Sequence, residues 1–125
     1  MKNTLLQQDG GRTYSIVMET GDDVVRCLAT FARNEQLSKA RFKGLGGLRQ
    51  VLLGCFELDG EPRVSIVLSD PVALTSFVGH IDLLEGGHRV EPHAVLTNAD
   101  GSAWGGRILA GQACPSLEIL LSASD

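Results

Sequence analysis

Residues 20–36, TGDDVVRCLATFARNEQ, hold the one clear helical periodicity in the chain. From Asp22 to about Gln36, Val24, Val25, Leu28, Phe31 and Ala32 recur at steps of three and four and make a single apolar stripe. Arg26, Arg33, Asn34 and Glu35 stay outside it. Thr20 and Asp23 have capping-box-like spacing, with the Thr20 oxygen expected to receive the first free backbone N–H groups. One amphipathic helix in 125 residues leaves the rest of the core to strands.

Upstream of the helix, RTYSIVM (12–18) reads as a first strand, and the polar MKNTLLQQDGG before it as a frayed end. Downstream, SKARFKGLGGL is a short strand ending in a glycine turn, followed by the long apolar strand RQVLLGCFEL. DGEP (59–62) turns the chain into RVSIVL. VALTSFVGHIDLL (72–84) is long enough to need a bend, expected at Gly79. Glu85-Gly86-Gly87 makes the next turn, a hairpin follows around 98–101, and LEILLS closes the series before a frayed SASD. The expected architecture is α+β: one main helix on a strongly bent, mostly antiparallel sheet of seven to eight strands. It forms one domain over 1–125, with its core at about 12–122. VLLGCF and EILL are apolar on both faces, and a single helix cannot cover so much sheet. Either the sheet folds over itself or other subunits cover it, and an oligomer is expected.

Hydrophobic residues make up 43% of the chain and charged residues 21%, a globular composition. Fifteen glycines favour strands and turns over an all-helical fold. The formal net charge of −4 counts mildly against a protein whose whole surface answers DNA phosphates, although a local basic patch can override it. No stretch is apolar and long enough to span a membrane, and the N-terminal segment turns polar too soon for a secretory leader. Cys27, Cys55 and Cys114 are dispersed, odd in number and without a CxxC pair. They predict reduced thiols in a cytoplasm, most simply as small buried hydrophobes.

The chemistry concentrates in VEPHAVLTNADGSAWGGRIL (90–109). Alternation puts Glu91, His93 and Val95 on one strand face. A turn centred near Asp100 brings Arg107 opposite His93 and diagonal to Glu91, within reach of long side chains. These three residues could serve as ligands, as an acid–base pair or as an ion pair beside an imidazole. The ion pair is the more economical reading, because two ligands make a poor zinc site and a guanidinium repels a dication. His80 and His88 lack a His or Cys at metal-ligand spacing, although His80 could approach the face of His93. The run Gly44-Leu45-Gly46-Gly47 precedes a strand, so a tight turn accounts for it better than a phosphate cradle. Lys39, Arg41 and Lys43 alternate along one strand face, with Arg49 beyond the turn. That basic stripe could meet phosphates or an acidic partner, or simply guard an exposed strand. Trp104, in AWGGR, suits packing into a core or a subunit contact better than stacking on bases.

The segments RTYSIVMETGDDVVRCLATFAR, ARFKGLGGLRQVLLGCFEL, PVALTSFVGHIDL, HAVLTNADGSAWGGRIL and LEILL, taken in order, resemble the plants-and-prokaryotes-conserved (PPC) domain from about Arg12 to Ser122. The resemblance implies an α+β homotrimer described among prokaryotic members as DNA-binding or regulatory. Plant relatives carry a separate AT-hook for DNA, and this sequence has no RGRP-like run. Many prokaryotic members hold a metal on His-x-His and a later Gly-Gly-His, and the fold is similar to that of the zinc enzyme acetolactate decarboxylase. The matching positions here are Glu91, His93 and Arg107, a degenerate set in which an ion pair between Glu91 and Arg107 would stand in for the metal.

Two functions follow as expectations. One is a non-enzymatic trimeric module, itself its first partner, that binds DNA, a regulatory protein or a small anionic ligand through Lys39, Arg41, Lys43, Arg49, His80 and Trp104. The other is a lyase- or hydrolase-like enzyme for a small anionic substrate, with Glu91 and His93 as acid and base and Arg107 as the anion clamp. No cofactor is expected, with zinc reserved for a site that another subunit completes. The module is preferred.

Overall fold

The computed structural model describes residues 1–56 and 62–124. Its elements are β1 (Lys2–Gln8), β2 (Arg12–Glu19), α1 (Val24–Asn34), β3 (Lys39–Phe56), β4 (Pro62–Leu68), β5 (Val72–Leu84), β6 (Gly87–Thr97) and β7 (Ala103–Ser124). Residues 59–61 of the turn expected at 59–62 fall outside the described residues, and Pro62 opens β4.

All seven strands belong to one antiparallel sheet in the order β1-β2-β7-β6-β5-β3-β4, and β7 also pairs with β3. That extra pairing bends the sheet until four strands close on themselves. β7 meets β6 through 103–107, β6 meets β5, β5 meets the first half of β3, and β3 returns to β7 along most of its length. Closure removes strand edges within the ring. Among the described strands, β1 and β4 remain as the open edges.

The helix covers one face of this sheet. Val24, Leu28, Phe31 and Ala32 are its buried residues, and it packs against β6 and β7. Each fully buried Leu or Phe contributes roughly 1.5–3 kcal/mol of transfer energy. Phe31 meets Tyr14 of β2 edge-on, with ring centroids 4.9 Å apart. At the helix start, Asp23 is the cap and its side chain accepts from the Arg26 N–H at 3.0 Å. Thr20, expected in that role, instead donates its hydroxyl to the Pro115 carbonyl at 2.8 Å. At the other end, Gln36 takes a left-handed φ of 55°, Leu37 N–H reaches Ala32 O at 2.9 Å, and Gln36 N–H reaches Arg33 O at 3.2 Å. This is a Schellman closure built without glycine.

Four sequence expectations are corrected. The N-terminal segment forms β1, paired with β2 from Lys2↔Val17 to Gln8↔Arg12. SKARFKGLGGL and RQVLLGCFEL contribute to one strand, β3, because GLGGL runs straight through instead of turning. A Cβ on Gly46 or Gly47 would collide with the Ser116 or Cys114 carbonyl of β7, so these glycines serve close approach. AWGGRIL and LEILLS, together with most of the final SASD, likewise belong to one strand, β7. Gly79 makes no bend: β5 stays in register with β6 from Ser76 to Leu84, and the irregularity falls between Leu74 and Ser76. Gly79 is small because a Cβ would enter the Phe42 ring and the Glu91 carbonyl.

Candidate functional site

Alternation along the ring strands sorts residues onto two faces. On β6, Val90, Pro92, Ala94 and Leu96 are buried, so Arg89, Glu91, His93 and Val95 point outward. Phe77 and Ile81 of β5 face the core, leaving Val78, His80 and Asp82 outside. On β3, Ala40 and Phe42 go inward while Lys39, Arg41 and Lys43 are exposed. Strand register then turns these into rows. One reads Arg41–His80–Glu91, the next Lys43–Val78–His93–Arg107, and a third Lys39–Asp82–Arg89. His93 pairs with Arg107, as the hairpin spacing predicts.

Glu91 is the hub of this grid. Its Oε1 lies 3.0 Å from Arg89 Nε and 3.7 Å from Arg107 Nη1. Its Oε2 lies 3.3 Å from His80 Nε2, which is itself 3.4 Å from Asp82 Oδ2. The carboxylate is thus divided, one oxygen facing guanidinium groups and the other facing imidazole. The His93 ring stands 6.4 Å from the His80 ring, centroid to centroid. One potential ligand atom from each of His80, Glu91 and His93 falls within a mutual 4.8 Å.

An open groove of about 660 Å³ lies to one side, lined among others by Arg89, Glu91, His93 and Arg107. A second, of about 760 Å³, is lined by Lys39, Arg41, His80 and Asp82. The two meet at Val78 and His93. Together their walls carry Lys39, Arg41, Arg89 and Arg107 against Asp82 and Glu91, a local excess of positive charge on a chain whose net charge is −4.

Other residues singled out by sequence fall elsewhere. His88 points to the opposite side of β6, where its Nε2 lies 2.6 Å from the Leu37 carbonyl oxygen. Trp104 pairs with the inward-facing Leu96 and packs partly buried against the core. Arg49 is half-buried and lies outside the charged rows, its Nε–H donating to Gln112 Oε1 at 2.9 Å. Cys27, Cys55 and Cys114 are free thiols, all half-buried. Arg89 and Asp82 were missed by sequence reasoning. Each is two residues along its strand from a recognised site residue, and that alternation was the available signal.

The Plants and Prokaryotes Conserved (PCC) domain matches residues 6–125, and the chain belongs to that family. A plant- and prokaryote-conserved (PPC) protein from Pyrococcus horikoshii is 26% identical with a TM-score of 0.84, covering 99% of this chain and 82% of that one. A metal-containing protein from Archaeoglobus fulgidus is 20% identical with a TM-score of 0.81, over 97% of this chain and 86% of that one. A third structure, named "putative DNA binding protein", from Bacteroides thetaiotaomicron, is 14% identical with a TM-score of 0.82, over 97% and 83%. No curated protein matches the sequence.

Proposed function

We propose that this PPC-domain protein is a non-enzymatic homotrimeric module that binds DNA through the outer face of its closed ring. The observation that carries the reading is the segregation of charge: Lys39, Arg41, Lys43, Arg89 and Arg107 share one sheet face of an otherwise acidic chain. Side chains spaced along a strand at about 3.3 Å per residue suit contacts to successive phosphates. The name carried by the Bacteroides thetaiotaomicron structure agrees with this reading. Leu45 and Val67, outside the three charged rows, are each 70% exposed. They supply the apolar surface that further copies would cover.

A gel-shift series on duplex DNA across salt concentrations tests the module. Binding should weaken steeply with salt, and the Lys39→Glu/Arg41→Glu/Lys43→Glu variant should abolish it. Binding that ignores both salt and the triple reversal would remove DNA as the partner. One observation favours a second reading. Glu91 is only 17% exposed and sits with His93 and Arg107 on one groove, an arrangement suited to acid–base work on a small anionic substrate. In that case small anions would protect the fold against heat, and the triple reversal would leave that protection intact.

A further inference from the structure

We infer that the groove over Lys39, Arg41, Ser122 and Ser124 is a receptor for one phosphomonoester group carried by a small molecule. Here β3 runs between β5 and β7, so its outward side chains have a neighbour on each side. Arg41 lies between His80 and Ser122, and Lys39 lies between Asp82 and Ser124. Leu121 and Ala123 are buried, so alternation turns Ser122 and Ser124 to the outer face beside the two cations. All four residues line the groove of about 760 Å³. Residues two apart on a strand stand about 6.6 Å from each other, and directly opposed Cβ atoms about 4.5–5.5 Å. Side chains as long as those of Lys39 and Arg41 converge on a single group from that spacing.

The two grooves differ in the state of their charges. Arg89 and Arg107, in the other groove, lie against Glu91 Oε1 at 3.0 and 3.7 Å. Among the described residues, Lys39 and Arg41 make no ion pair or side-chain hydrogen bond, and neither do the Ser122 and Ser124 hydroxyls. Asp82, the carboxylate lining this groove, faces His80 Nε2 at 3.4 Å. Two unpaired cations match the charge of about −1.5 to −2 on a phosphomonoester, and its three terminal oxygens suit the Arg41 fork, the Lys39 ammonium and the hydroxyls. A carboxylate or a backbone phosphodiester carries a single charge and leaves part of that donor set unused. The groove is larger than a phosphate group, and exposed Val78 in its wall offers apolar cover to the rest of the ligand.

Lys39 and Arg41 also belong to the proposed DNA surface, but this site stands on the hydroxyls and unpaired charges of one groove, and its test is separate. Isothermal titration calorimetry of the full-length protein with phenyl phosphate should show one saturable site per chain. Dimethyl phosphate, standing in for the DNA backbone, should bind at least ~10-fold more weakly. Arg41→Gln should weaken phenyl phosphate at least ~10-fold and Ser122→Ala/Ser124→Ala about 10-fold, while the serine variant keeps the wild-type DNA gel shift. Arg26→Gln removes an exposed charge on the helix and should leave phosphate affinity unchanged. Circular dichroism confirms that each variant is folded, and Ser122→Ala alone serves should the double variant fail. No saturable uptake, equal affinity for dimethyl phosphate, or affinity retained in Arg41→Gln would overturn the site. A missing gel shift beside saturable phenyl phosphate would remove the DNA reading alone.

Discussion

Tyr14 ties the start of the sheet to the end of the helix. Its hydroxyl donates to Glu35 Oε1 at 2.9 Å, while Arg12 Nη1 donates to the Tyr14 oxygen and to the Glu35 carbonyl, each at 3.2 Å. Burial, reinforced by the bond to Glu35, pushes the phenol above its ordinary pKa. A raised folded-state value means that the neutral form is the one favoured by folding. Its contribution is complete below roughly pH 10 and is lost as the pH rises through the folded value. Thermal melts between neutral and strongly alkaline pH should show this loss in the wild type and less of it in Tyr14→Phe. That variant should cost about 1 kcal/mol at neutral pH. At this scale the sequence was partly legible. Arg107 opposite His93 followed from counting about the hairpin turn. The pair His80↔Glu91 is equally countable from the turn at Glu85-Gly86-Gly87. Arg49 could not be placed, because its partner Gln112 comes from β7, and alternation does not name the neighbouring strand.

Helix α1 was the most legible element, since its stripe needs only its own residues, yet its ends show where local reading fails. Asp23 and Thr20 both offer capping oxygens, and the choice was decided by Pro115, nearly a hundred residues away in sequence. The C-terminal closure places Gln36 where glycine is preferred. A left-handed residue with a side chain costs about 1–2 kcal/mol, and glycine loses back about 0.5–1 in chain entropy. Gln36→Gly should therefore stabilise the protein by about 0.5–1 kcal/mol, read as a higher urea midpoint with an unchanged slope. Strands β3 and β7 were each read as two pieces. Glycine runs look like punctuation in a single strand, and only the neighbouring backbone reveals them as places where two strands press together.

On the scale of the whole molecule, apolar side chains on the outer face argue for partners made of the same chain. Leu45 and Val67 are each 70% exposed and lie outside the charged rows. Light scattering should give the mass of three chains, and Leu45→Glu with Val67→Glu should shift it towards one chain while circular dichroism stays native. A monomeric wild type would remove the trimer. VLLGCF and EILL lack alternation in the sequence, and part of the cover they need comes from within the chain, where β3 and β7 pair in the closed ring. The pairing of β2 with the far half of β7 carries a further consequence for synthesis. Tyr14 takes Leu121 as its partner, about a hundred residues downstream. At about 5–20 residues per second, β2 leaves the ribosome roughly 5–20 s before its neighbour exists. Long-range strand pairing is slow to form even when both partners are present. The nascent chain therefore spends that interval with Tyr14, Ile16, Met18 and the apolar stripe of α1 uncovered, a natural client surface for chaperones.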